Sequence, residues 1–239
     1  MDNALWATFY DLPKENRGSY LSWFHGVFIP RMLSRPGYLW AAHYEKADAG
    51  ERFQKVLDSL TRSEDPSVAG GTGLLALFGG QSTRTFYDSG LHAQEELPGD
   101  ETEKMLGIRL RPLEFVYTVE WRIDGPDAHL RPSDGTSAPV IQTGRFDAPG
   151  AEKDLGAWYA YERLPAVSRA KGSLGGRKLL ASSGSPKHSI LYEFSSLEDR
   201  EAHFVELEET LWSKRVHRYV IHAPGSPFVG RRIWPEVPR

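Results

Sequence analysis

Trp23-Phe24-His25-Gly26-Val27-Phe28-Ile29-Pro30-Arg31-Met32-Leu33-Ser34-Arg35-Pro36-Gly37 aligns without a gap on Trp158-Tyr159-Ala160-Tyr161-Glu162-Arg163-Leu164-Pro165-Ala166-Val167-Ser168-Arg169-Ala170-Lys171-Gly172. Both stretches run Trp, an aromatic ring, four variable positions, an aliphatic residue, Pro and later Gly. A chance match between two amphipathic helices would not reproduce the Pro and the Gly. These residues answer specific backbone needs rather than generic packing. A Pro late in a helix removes one donor and kinks or loosens the last turns, and the Gly then supplies the stop.

The flanks repeat as well. A strand-like run ending in Asp precedes each Trp, over 5–11 and 140–147, and another follows each Gly, over 38–45 and 175–181. Each copy therefore reads strand, helix, strand. In the second copy a strand over 188–194 follows a Ser-Gly-Ser-Pro turn. Ser195 and Ser196 then cap a helix over 197–214, and a last strand lies over 218–222 or 230–234. In the first copy the later strands fall over 72–78 and 114–123. Residues 81–111, with an acidic stretch over 95–103, read as a loop plus an irregular helix. The order βαββαβ is the ferredoxin-like split βαβ. The expected class is α+β, with one unit over 1–124 and a second over 139–239. Between them the Pro- and Gly-containing segment 125–138 has the composition of a linker.

Bulk properties exclude several functions. The net charge of −3 lacks the basic excess by which nucleic-acid binders are recognised. No apolar run approaches the roughly 20 residues that cross a bilayer. The start, Met1-Asp2-Asn3-Ala4-Leu5-Trp6, is acidic rather than a secretory signal, so the expected location is cytoplasmic. The absence of Cys removes disulfides, zinc–thiolate sites, iron–sulfur clusters and a Cys nucleophile. An aromatic content of 12% suits both core packing and pockets for flat organic ligands, so the expected partner is a small-molecule substrate.

With the repeat in view, the segment from Trp23 to Pro30 and the Gly beyond it resemble the first-helix signature of the dimeric α+β barrel superfamily, and within it EthD-like proteins. The tail around Val216 to Pro227 and Arg231-Arg232-Ile233 is similar to theirs too. The resemblance covers both copies. It implies that two four-stranded sheets close into one barrel within the chain, as a monomeric pseudo-dimer or a homodimer. Relatives often carry a His where this chain has Phe28 and Arg163. Neither copy keeps it, and a mechanism built on that His does not carry over.

Eight His are present, but no H-E-x-x-H, H-x-H or H-x-x-x-H pair occurs, and His217 and His222 are five apart. No metal site is therefore expected. Some barrel relatives bind haem through a His, and the missing helix His argues against it here. Gly70 to Gly73 precedes a strand rather than following one, the wrong order for a dinucleotide fingerprint. No cofactor is expected. The remaining option is acid–base chemistry in a dry pocket. The catalytic candidates are Tyr10, His25, His43, Arg145 and His188. Trp23, Phe28, Tyr44, Trp158, Arg163 and Tyr192 are candidates for holding substrate. A His suits proton transfer near neutrality, Arg would hold a carboxylate or enolate, and Tyr could donate to an oxyanion. The main expectation is a cofactor-independent lyase, isomerase or cyclase acting on an aromatic or oxo-acid-like compound. The alternatives are a non-catalytic ligand-binding or stress-associated barrel, and a cofactor-free or haem-using monooxygenase. One of the two duplicated pockets is expected to be live and the other filled.

Overall fold

The computed structural model describes residues 1–89, 100–131 and 138–237. His92, residues 95–99 of the acidic stretch and 132–137 of the expected linker lie outside the described residues. Strands β1 (Ala4–Asp11), β2 (Tyr38–Lys46), β3 (Leu74–Gly80) and β4 (Leu110–Asp124) come from the first half. The second half supplies β5 (Val140–Asp147), β6 (Ser173–Ser183), β7 (His188–Phe194), the short β8 (Ile221–His222) and β9 (Phe228–Trp234). Every strand pairing is antiparallel, and the order β7-β6-β4-β1-β3-β2-β9-β5 closes through β5–β7 into an eight-stranded barrel. The halves meet at two seams, β4 on β6 and β2 on β9. Closure leaves those strands without a free edge.

Strands β1, β3, β5 and β7 are buried on both faces, which explains their nearly continuous apolar runs, whereas β4 is buried only at its centre. Leu5, Ala7 and Phe9 of β1 point into the barrel with Tyr44, Phe115 and Leu179. Trp6 and Tyr10 point outward under the first unit's helices, with Tyr20, Trp23, Phe24 and Phe28. In the second unit Phe146, Trp158, Tyr159 and Tyr192 build the matching outer layer.

The repeated Pro has a sharper effect than a kink. In the first copy Arg17–Trp23 is α-helical, Phe24–Phe28 forms a π turn and Ile29–Leu33 resumes the α-helix. The second copy repeats this with Glu152–Trp158, Tyr159–Arg163 and Leu164–Val167. The widened turn sits immediately before Pro30 and Pro165, where a regular helix would drive the ring into the carbonyl four residues back. The glycines do not supply the helix stop: the helices end at Leu33 and Val167, and Gly37 at φ 88° and Gly172 at φ 77° make the left-handed turns into β2 and β6.

Two expectations need correction. The helix expected over 197–214 is broken into Leu197–His203, a 3-10 stretch Val205–Glu209, and Leu211–Tyr219. The tighter turn puts Val205 and Glu208 on one inward side, which a regular helix would not do as directly. Thr210 then accepts a hydrogen bond from the Ser213 amide and starts the last helix. Both candidates for the last strand exist, one as the two-residue β8 and the other as β9. Before β4, the segment 81–111 contains helices Thr83–Ser89 and Asp100–Leu106.

Candidate functional site

The candidates chosen from sequence do not form one pocket. Alternation along the strands sorts them into three compartments. Tyr10, Trp23, His25, Phe28 and His43 lie in the first unit's helix–sheet layer, while Trp158, Arg163, His188 and Tyr192 lie in the second's. Arg145 and Tyr44 point into the barrel, away from both layers. The Arg145 guanidinium lies 4.3 Å from the Phe9 ring centroid and donates to the Pro224 carbonyl at 3.2 Å. Tyr44 donates to the Ala138 carbonyl at 2.8 Å. The barrel lumen is filled by such side chains.

In the first layer three candidates form a continuous chain. The Tyr10 hydroxyl meets His43 Nε2 at 2.8 Å, and His43 Nδ1 meets His25 Nε2 at 2.8 Å. β1 and β2 each supply one member and the π turn supplies the third. His43 is 0% exposed, whereas His25 is half-buried and stacks on Trp234 at 5.9 Å. Burial, together with the neighbouring His25, Arg109 and Arg17, holds His43 well below the ordinary His range. Burial alone brings His25 down to about 4. Tyr10 is raised well above the usual phenol value, mainly by burial. All three groups are therefore neutral near pH 7, and a proton can pass along the chain without a charge resting inside. Arg109 flanks it, 4.7 Å over the Tyr10 ring and donating from Nε to the Tyr20 hydroxyl at 2.6 Å. Trp23 and Phe28 pack against each other at 5.4 Å, and Phe28 lies on Phe24 at 5.2 Å.

The second layer uses full charges instead. Arg163, standing where the first copy has Phe28, donates from Nη2 to Glu208 and from Nε to the Tyr192 hydroxyl at 2.9 Å. Burial opposes the Glu208 charge, but Arg163 and His217 overcome it and hold the carboxyl at about 2. Lys178 matches His43 in position after the repeat's Gly. It donates to His188 Nδ1 at 3.0 Å, to Glu120 at 3.2 Å and to the Leu179 carbonyl at 3.2 Å. Beside Arg163 and Glu208 lies a cavity of about 50 Å³, also bordered by His222, Gly144 and Trp158.

Sequence reasoning missed Arg109, Tyr20, Trp234, Lys178, Glu208 and His222. Extending the repeat past its Gly would have pointed to Lys178. Tyr20 lies one turn before Trp23 on the same helix, and the others come from elements distant in sequence and carry no local signal. Among the described residues no cluster of three or more His, Asp or Glu suits a metal ion. Phe28 and Arg163 occupy the helix position, and the second-layer cavity is far below the roughly 300–1,000 Å³ of organic-ligand pockets. No described helix is long and apolar enough to cross a membrane.

No protein-family model and no curated protein sequence matches the chain. Solved structures do. An inferred monooxygenase from Fusobacterium nucleatum subsp. nucleatum superposes with a TM-score of 0.59 at 8% identity, covering 96% of this chain and 92% of that one. An inferred chlorite dismutase gives 0.57 at 12% identity over 98% and 96%. An anthrone oxidase-like protein gives 0.56 at 12% identity over 96% and 90%. At such identities the likeness establishes architecture: the chain has the dimeric α+β barrel fold, with both halves in one polypeptide.

Proposed function

We propose that the chain is a small-molecule oxidase or monooxygenase that starts its reaction by proton abstraction in the first unit, with His25 as the base. The observation that carries this reading is the chain Tyr10–His43–His25, which links a fully buried phenol to a half-buried imidazole beneath Trp234. His25 is neutral well below pH 7 and so holds a lone pair ready for a substrate proton. As it takes that proton on Nδ1, its Nε2 stays hydrogen-bonded to His43 Nδ1, which orients the ring and leaves the charge on the half-buried member of the chain. Trp234 offers a flat face to an aromatic substrate.

A benzylic or phenolic carbon acid suits such a base, because its anion is delocalised and gives electrons to dioxygen. The balance is closed: a CH₂ group and O₂ give a carbonyl and water, one oxygen atom entering the product. The names of the similar barrels, a monooxygenase and an anthrone oxidase-like protein, support oxygen chemistry over a plain isomerisation or elimination. The first step would be common to all three reactions.

Anthrone is the probe for the test. The wild-type protein should consume dioxygen in step with carbonyl formation. His25→Ala should slow this by about 10²- to 10⁴-fold, the usual worth of a positioned base, with unchanged circular dichroism. Full activity in His25→Ala, or turnover indifferent to the removal of dioxygen, would sink the reading.

A further inference from the structure

The second unit's cavity is not part of the His25 chain. We propose that it is a separate binding site for a slim, neutral hydroxy compound, such as a linear primary alcohol. The charges lining it are already matched, since Arg163 pairs with Glu208 and Glu208 also meets His217 at 3.3 Å. Among the lining residues an anion would find no unpaired cation, and a cation no spare carboxylate.

Two buried polar atoms of the lining nevertheless lack a partner among the described residues: Arg163 Nη1, on a residue 2% exposed, and His222 Nδ1, on a residue 7% exposed. Burial and the nearby Arg62 keep His222 neutral, down to about 3. A buried group of this kind without a partner costs stability, and native proteins rarely leave one so. A hydroxyl has the chemistry for either atom, accepting from the guanidinium or donating to the ring nitrogen.

The remaining wall is apolar, with Phe53 and Leu60 from the first half facing Leu155 and Val216 from the second. Val56 and His217 on its border are only partly buried, so a chain longer than the cavity has a way out. A volume of about 50 Å³ excludes a ring: benzene occupies engineered cavities of about 150 Å³. The occupant is therefore narrow, with its polar end inside.

Calorimetric titration with 1-hexanol and with hexanoate separates the outcomes. 1-Hexanol should bind at one saturable site, and hexanoate at least tenfold more weakly. Gly144 borders the cavity, and an added Cβ would meet Ile190 at 3.5 Å and Phe146 at 3.6 Å, ordinary contacts. Gly144→Ala should therefore fold and weaken 1-hexanol at least tenfold by occupying space. Should that variant not fold, His222→Phe keeps a ring against Phe146, removes Nδ1 and should weaken binding about fivefold. His25→Ala should leave binding unchanged. No saturable heat would mean that the cavity holds water alone, and the proposal fails. It fails equally if hexanoate binds as well, or if His25→Ala abolishes binding while Gly144→Ala does not.

Discussion

His43 and Lys178 stand at matching places in the repeat, yet one is a neutral link in a proton chain and the other an ammonium with three acceptors. Phe28 and Arg163 diverge in the same sense, an aromatic filler against a guanidinium clamped by Glu208. The two layers share a backbone, including the π turn, and differ in how they keep polar groups inside. The first keeps the Tyr10–His43–His25 chain itself neutral, with Arg109 as a cation at its flank. The second fixes its charges in pairs and leaves a small space beside them. Neutral hydrogen-bonded chains suit proton transfer, whereas a buried ion pair is rigid and costly to disturb.

The second layer should therefore be the more fragile to a single substitution. Glu208→Ala leaves Arg163 buried without its carboxylate, and should lower unfolding free energy by about 3–5 kcal/mol in urea denaturation. Arg163→Met combined with Glu208→Gln should recover most of that loss. Phe28→Arg, which places the guanidinium in the first layer without a carboxylate, should be comparably harmful. If Glu208→Ala is mild, the contrast between the layers is wrong.

Acid should reach both layers, through different groups. His25 is depressed to about 4, His222 to about 3, and His43 lies well below its ordinary value, each mainly by burial. The unfolded chain takes up these protons near pH 6.5. Below that value it holds more protons than the folded chain, so stability is full above pH 6.5 and falls as pH drops toward 3–4. His222, almost fully buried, contributes on the order of several kcal/mol to this slope. Thermal melts between pH 7 and 3.5 should show the fall, and His222→Phe should flatten it. A melting temperature level across that range would contradict the neutral, buried state of these rings.

Much of this architecture is legible in the sequence, for reasons that local chemistry explains. The matched Pro and Gly mark the duplicated helix because each has a backbone requirement that few other residues meet. Alternation puts Tyr10 and His43 on outward faces, and the structure joins them. Local pattern cannot show closure. Which face of β5 turns into the lumen depends on the barrel, and so the sequence groups Arg145 and Tyr44 with residues they never meet. Trp234 reaches His25 only because β9 crosses to pair with β2. Glu208 reaches Arg163 only because the expected helix over 197–214 gives way to a 3-10 turn.

The shared π turn allows a finer cut between the layers. In the first copy the Ile29 amide bonds to the Phe24 carbonyl, so the turn holds one residue more than an α-helix would. Removing that extra residue would rotate the segment before the turn by about 100° relative to the segment after it. Pro30→Ala restores a donor and removes the ring that disfavours a regular turn. If the helix then regularises, His25 swings away from His43 and the chain is cut. The stability change should stay within about 1 kcal/mol, because the gained hydrogen bond offsets the disturbed aromatic packing. Anthrone oxidation should nevertheless fall about tenfold. Pro165→Ala alters the same turn where Ala160 replaces His25, so it should leave the rate untouched. Dioxygen uptake by the two variants, set against their urea midpoints, decides the matter. Equal losses in both would mean that the π turn serves packing alone, and that the two layers differ less in function than in charge.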